Sequence, residues 1–468
     1  MKNENVWKTY TPEQLSELEA LAGRYKAFLD AGKTERECVT EAVRLARAEG
    51  YRSLEEVQNS GETLKAGDKV YAVCMNKMLA LFQLGTQPLH TGMRILGAHV
   101  DSPRLDLKQN PLYEDTDMAY LDTHYYGGIK NYQWVTIPLA IHGVVAKKDG
   151  SVVEICIGED AADPVVCISD LLIHLAGEQM GKKASVVIEG ENLDVLIGSR
   201  PLVQKEEGKD EKEAAKDAVK ANILAILKEK YDIEEEDFLS AELEIVPADK
   251  ARDCGLDRSM IMAYGQDDRV CAYTSLEAQL AVPMQERTCC TLLVDKEEIG
   301  SVGATGMQSR FFENTVAELM ECAGEYSELN LRRCLSNCRM LSSDVSAAYD
   351  PLFAGCFEKK NSAYFGHGLV FNKYTGARGK SHSNDANAEY LAAIRAMMDK
   401  HEVAFQTAEL GKIDVGGGGT IAYISALYGM EVIDSGVAVL NMHAPMEVTS
   451  KADVYEAVKG YKAFLMEA

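Results

Sequence analysis

Thr288-Cys289-Cys290-Thr291-Leu292-Leu293-Val294 is an uncharged run, and Asp295-Lys296-Glu297-Glu298-Ile299-Gly300-Ser301 follows it directly. A short continuous apolar run, rather than an alternating one, suits a strand covered on both faces, as in a parallel sheet. The acidic pair then stands just past the carboxyl end of that strand. Working outward, residues 271–280 and 311–322 have apolar positions at helical spacing. Toward the C-terminus the alternation continues: helical at 387–398, extended at 403–407, helical at 420–428 and extended at 432–440. A last helix is capped by Ser450 with Asp453 in its first turn. Toward the N-terminus, Thr11-Pro12 caps one helix, and Thr34 with Glu37 forms a capping box for a second that ends at Gly50. Residues 69–82 suit a strand, and Met93 to Ala98 suits another ending at His99. Strand–helix alternation of this kind is α/β patterning.

The texture differs between about Arg104 and Ala251, where strand-like segments outnumber helices. Asp149-Gly150 between alternating runs signals a hairpin. A charged stretch over 204–220, whose head reads KEEGKDEKE, is expected to be a solvated excursion leading into a helix through Ile223, Ile226 and Leu227. The simplest architecture is one α/β domain built from residues 1–103 and 252–468, interrupted by a β-rich domain over 104–251. The expected fold is a mixed sheet with helices on both faces.

Composition narrows the function. The chain has 468 residues with 49 basic and 73 acidic side chains, a net charge of −24. So acidic a surface repels phosphate backbones and anionic lipid, so neither nucleic acid nor a membrane surface is an expected partner. There is no apolar run of membrane-spanning length and no signal-peptide core at the N-terminus, so a cytoplasmic protein is expected. The 12 cysteines contain no CxxC pair, which favours buried reduced thiols over a zinc ribbon or disulfide framework.

Several groups able to carry chemistry stand where strands end. His99-Val100-Asp101 closes the Met93 strand, Glu297-Glu298 follows the Thr288 strand, Asp344 closes an extended run at 339–343, His443 closes the run at 432–440, and Asp267-Asp268 opens a helix. Ligands of open α/β sheets bind at the carboxyl ends of strands. Convergence of these ends would bring two imidazoles and several carboxylates into one crevice, a donor set suited to a pair of divalent ions such as zinc. Taken singly, each signal is weak. An HxD triplet arises by chance, an acidic pair is usually solvated, and a lone histidine is usually packed or on the surface, as His90, His142, His367, His382 and His401 are taken to be. Coincidence of position is what counts against the bland reading.

The residues resemble a known family. The run Gly97-Ala98-His99-Val100-Asp101-Ser102-Pro103-Arg104-Leu105-Asp106 is similar to the first metal-binding motif of the M18 metallopeptidases, the aspartyl aminopeptidase family, and specifically to its bacterial branch. DKEEIGS at 295–301 resembles its Glu-Glu motif, GQDDR at 265–269 its bridging-aspartate motif, and SSDVSAAYDP at 342–351 and NMHAPMEV at 441–448 its last two. The resemblance implies an aminopeptidase acting on peptides with a free N-terminus, with two divalent ions per subunit, zinc first and cobalt or manganese as alternatives. It implies that His99 and Asp344 bind one ion, Glu298 and His443 the other, and that Asp267 bridges them. Glu297 is then the general base, and Asp101 orients His99. The insertion sits where the family carries its dimerisation domain. His174, in Leu171-Leu172-Ile173-His174-Leu175, resembles a histidine that reaches a neighbouring subunit's site, although a surface histidine on a helix would look the same. The family assembles as a dodecamer built from dimers.

Two features depart from a simple transfer. Acid-specific members place a lysine near the pocket for the first side chain, and Lys373 is the candidate here, but NKYTGARGKSHSND looks more like the bacterial branch, so a preference for acidic residues does not carry over. The run VGGGGT at 415–420 lacks the Walker lysine and Rossmann spacing, and a Gly-rich turn lining the substrate pocket is the better reading. Rival functions remain: an M42-type aminopeptidase, an M20-type deacylase or carboxypeptidase, or a non-catalytic metal-binding shell. HVDSPRLDLKQNP and THYYGGIKNY favour M18 over the first two, and Glu297 argues against the last.

Overall fold

The structure is a computed structural model that describes residues 4–202 and 217–467, and it comprises two compact units. Residues 203–216, which include the head of the charged stretch, lie outside the described residues. The first unit takes in the chain up to Ser102, Ala251–Met442 and the segment from Glu447 onward. Its centre is a mixed sheet of nine strands among the described residues. Cys289–Val294, Arg94–His99, Arg339–Ser343 and Glu431–Gly436 lie side by side and parallel in its middle. All six residues of Cys289–Val294 are buried, as the continuous apolar run requires.

The α/β class holds, with helices on both faces. On one face Leu96, Leu293, Leu341 and Ile433 pack with Pro12–Ala31, Gln266–Ala281 and Lys451–Glu467. On the other, Ile95, Leu292, Met340 and Val432 pack with Phe311–Cys322 and Glu328–Asn337. Both N-terminal helices carry the capping boxes that their sequences encode, Thr11 with Gln14 and Thr34 with Glu37.

Three sequence expectations needed revision. The run at 69–82 is a hairpin, Lys69–Cys74 with Met78–Gln83, because Met75 and Asn76 take left-handed φ values of 50° and 57° and reverse the chain. The run at 432–440 is divided between two sheets. Glu431–Gly436 belongs to the large sheet, while Ala438–Leu440 joins a five-stranded sheet with Glu447–Ser450. Only Ala422–Ala426 is helical within 420–428.

The second unit spans Pro103–Lys250 together with His443–Met446. Among the described residues its six strands pair antiparallel, in the order Val152–Ile157, Leu139–Ala146, Ala241–Pro247, Arg104–Asp115, Met118–Tyr126 and Val195–Gly198. The Asp149-Gly150 turn joins two of them, with Gly150 at φ 90°. Helix Ala218–Tyr231 lays Ile223, Ile226 and Leu227 against the apolar face of the sheet. All 12 cysteines are free thiols, but Cys156 and Cys356 are exposed, against the expectation of burial. Both lie near chain ends of their elements, where neighbouring apolar residues do not cover them.

Candidate active site and metal centre

In the first unit, parallel neighbours in register bring their carboxyl ends to one edge. Val294 pairs with His99, and Ser342 with Gly97, so the residues just beyond each strand meet there. His99 is buried. Its Nδ1 lies 3.0 Å from the Asp101 carbonyl and 3.2 Å from Asp101 Oδ1. With Nδ1 so occupied, Nε2 points into the site, 3.3 Å from Asp267 Oδ1, 3.9 Å from Asp344 Oδ1 and 4.0 Å from Glu297 Oε2. Ligand atoms of His99, Asp267 and Asp344 all lie within 4.8 Å of one another. Two ligands bound at about 2.0–2.2 Å to one tetrahedral ion stand roughly 3.4 Å apart. One imidazole and two carboxylates at this spacing, His99 and Asp267 buried and Asp344 partly so, therefore fit a divalent cation.

Asp101 does more than face the imidazole. Its Oδ1 accepts the Glu297 N–H and its Oδ2 the Glu298 N–H, each at 3.2 Å. One carboxylate thereby ties the His99 strand end to the 3-10 turn Glu297–Ile299. Asp267 is held from both sides as well. Its N–H donates to Glu447 Oε2 at 2.9 Å, and its carbonyl accepts from the Ser102 hydroxyl at 2.6 Å. Glu447 and Ser102 stand inside the NMHAPMEV and HVDS runs, yet neither was singled out from sequence, because nothing in one chain distinguishes a backbone clamp from any polar residue beside a ligand.

Electrostatics follow from crowding acids in a dry place. Burial works against a charged His99, but the Asp101 and Asp267 carboxylates outweigh it and push the imidazole well above its ordinary value. Burial and then the nearby Asp268 carboxyl push Asp344 well up. Burial lifts Asp268 far above the carboxylate range as well. Asp434, paired in register with Ser342 in the next strand, is raised to about 7 by burial while Thr420 donates a hydrogen bond to it. Crowding and burial disfavour the charged form of these carboxyls, and a cation held among them would favour it again.

Glu298 offers a ligand atom within 4.8 Å of one on Asp267, and the other candidates stand in other segments of the chain. His443 does not close a strand of the large sheet. It sits in the turn between Ala438–Leu440 and Glu447–Ser450, at φ 65°, and its Nδ1 lies 2.8 Å from the Gly128 carbonyl in the second unit. His174 is exposed on the second unit. Lys373 follows the strand Leu369–Asn372 and pairs with Asp385 at 3.1 Å, a carboxylate that Lys380 also engages. Gly416 and Gly417 line a cavity of about 280 Å³ with Tyr374, Lys380, Glu409 and Lys412.

Comparison with known proteins settles the family. The chain matches the family described as aminopeptidase I zinc metalloprotease (M18) over residues 28–465. It belongs to the M18 family. A probable M18 family aminopeptidase 1 of Clostridium acetobutylicum is 64% identical, over 98% of this chain and 97% of that protein. The crystal structure of an M18 aminopeptidase from Thermotoga maritima superposes with a TM-score of 0.93 at 43% identity, covering 100% of both chains. That of aminopeptidase I from Clostridium acetobutylicum gives 0.91 at 62% identity, over 99% of each. As an M18 protein the chain is a metal-dependent aminopeptidase, a hydrolase of the exopeptidase kind.

Proposed function

We propose that this M18 aminopeptidase removes the first residue of peptides with two divalent ions acting together at the large sheet's carboxyl edge. The observation that carries the reading is the convergence of His99, Asp267 and Asp344 on one point, with Glu297 beside it. In this reading His99 and Asp344 would hold one ion and Glu298 and His443 the other, with Asp267 serving both. The ions, when bound, supply Lewis-acid polarisation of a carbonyl and acidification of water. Glu297 accepts the proton of the attacking water and delivers it to the leaving amine. Asp101 keeps the His99 proton on Nδ1, so that Nε2 stays a donor to metal. Lys373 borders the pocket for the first side chain.

The second unit joins subunits in this reading, and His174 of one copy completes the site of another by donating a hydrogen bond to the developing oxyanion. Leu171, Leu172, Ile173 and Leu175 around it are 47–68% exposed, an apolar strip that a second copy would cover. A structure described as the S. cerevisiae mApe1 dodecamer has the same fold, and a dodecamer built from dimers is the assembly proposed here. A cytoplasmic location suits the free thiols. No helix among the described residues is long and apolar enough to cross a membrane.

The test is hydrolysis of a panel of aminoacyl chromogenic substrates by chelator-stripped protein resupplied with zinc, cobalt or manganese. Metal-dependent release from free but not N-blocked substrates supports the reading. Release from N-blocked substrates, or no release with any metal, overturns it.

A further inference from the structure

At the opposite, amino edge of the large sheet, three arginines gather. Arg94 opens the strand Arg94–His99 and pairs in register with Cys289 on one side and Arg339 on the other. Arg287 stands two residues before Cys289. Parallel strands in register put residues of equal phase on the same face, so the three guanidinium groups share one corner of the sheet.

Arg94 is the anomaly among them. It is only 3% exposed, and its Nε and Nη1 have no hydrogen-bond partner. Burial, then the neighbouring charges of Arg287 and Arg339, lower it to about 10, which still leaves it charged at neutral pH. A buried cation without an anion is among the least favourable arrangements a fold can hold. Its neighbours do not relieve it. Arg339 is paired with Glu431 at 2.7 Å, and Arg287 donates to the Thr91 carbonyl at 2.6 Å. Beside them opens a cavity of about 540 Å³ whose lining includes Arg287, Arg339, Ser336 and Asn337, with Glu431 its one carboxylate among the described residues. Two arginines of the lining against one carboxylate, with the buried Arg94 close to both, is a local reversal of sign in a chain of net charge −24.

We propose that this cavity binds a polyatomic oxyanion of the phosphate or carboxylate kind, gripped by Arg287 and Arg339 with Arg94 supplying charge from behind. Planar guanidinium forks match either anion in a bidentate manner. The site lies at the end of the sheet away from His99 and uses none of the residues assigned to catalysis.

The test is thermal unfolding and calorimetric titration of the metal-loaded enzyme with sodium phosphate or sodium succinate, against sodium chloride of equal ionic strength. A ligand that binds only the folded state raises the midpoint, and about 10 mM of a millimolar binder moves it by a few degrees. A rise with phosphate alone assigns phosphate chemistry, a rise with succinate alone assigns carboxylate chemistry, and a rise with both assigns either oxyanion. Arg287→Ala and Arg94→Met should each lose the rise, Arg287→Ala with aminopeptidase activity unchanged. In chloride, Arg94→Met should unfold at a higher temperature than wild type, because an uncompensated charge has left the interior. Should Arg94→Met fail to fold, Arg287→Ala alone decides. No rise with either anion, or a rise that survives in Arg287→Ala, overturns the proposal.

Discussion

Glu297 and Glu298 are adjacent and chemically identical, and their backbone N–H groups are tied to the two oxygens of one carboxylate, Asp101. What separates them is the direction of their side chains, and Glu297 Oε2 is the one at 4.0 Å from His99 Nε2. Glu297→Gln is expected to lower kcat by several orders of magnitude while zinc content, measured by atomic absorption after dialysis, stays near that of wild type. Glu298→Gln should instead lower metal affinity, and a reversed pattern would exchange the two assignments. Asp101→Asn must turn an N–H toward one of two backbone donors. Metal affinity in a competition titration is expected to fall roughly 10–100-fold, the usual size of a lost partner behind a ligand.

Among the elements, the turn that opens Gln266–Ala281 is built on Gly265. Its φ is 70°, and a Cβ there would stand 1.6 Å from Arg269 Nη1. Gly265→Ala meets both the left-handed penalty and a collision with a buried guanidinium. It is expected to lower stability in urea by about 1–3 kcal/mol and to weaken metal binding through Asp267, two residues on. The last helix, Lys451–Glu467, has a different device. The buried Asp453 carboxylate accepts the N–H groups of Gly366 and Gly368 at 2.9 and 2.7 Å, tethering that loop to the helix start. Burial lifts its titration from 3.8 to about 7. Between those values the folded protein keeps a proton that the unfolded chain has released, so this group's contribution to stability falls as pH rises from about 4 to about 7 and is level above that. Urea unfolding from pH 5 to 7.5 should show a shallower decline in Asp453→Asn than in wild type. Equal slopes would remove Asp453 as a source of pH dependence.

For the whole molecule, the question is whether one chain suffices. The Leu171 to Leu175 strip is too apolar to stay in water without consequence. Ile173→Asp should shift the assembly toward smaller species in sedimentation velocity and lower activity with them. Mixing His174→Ala with Glu297→Gln protein under conditions of subunit exchange should restore part of the activity, since some mixed dimers hold one site with both groups intact. A fully active monomer, or no recovery despite exchange proven by mass spectrometry, would count against shared sites.

The α/β class was legible in Thr288 to Val294, because a strand buried on both faces must be apolar throughout and few other elements have that pattern. Its acidic sequel, the HVD triplet and Asp344 were legible as strand-end residues for the same reason, and recurring local runs identified the family. Local sequence could not say that residues 69–82 reverse at Met75-Asn76, since neither residue type demands a left-handed turn. Nor could it say that residues 432–440 change sheets, since either half has the apolar content of a buried strand. The clamps on Asp267 by Glu447 and Ser102, and the gathering of Arg94, Arg287 and Arg339, involve partners about 50–245 residues apart in the chain. No periodicity encodes such meetings. They exist only once parallel strands are in register, because register, not propensity, decides which side chains share a face and an edge.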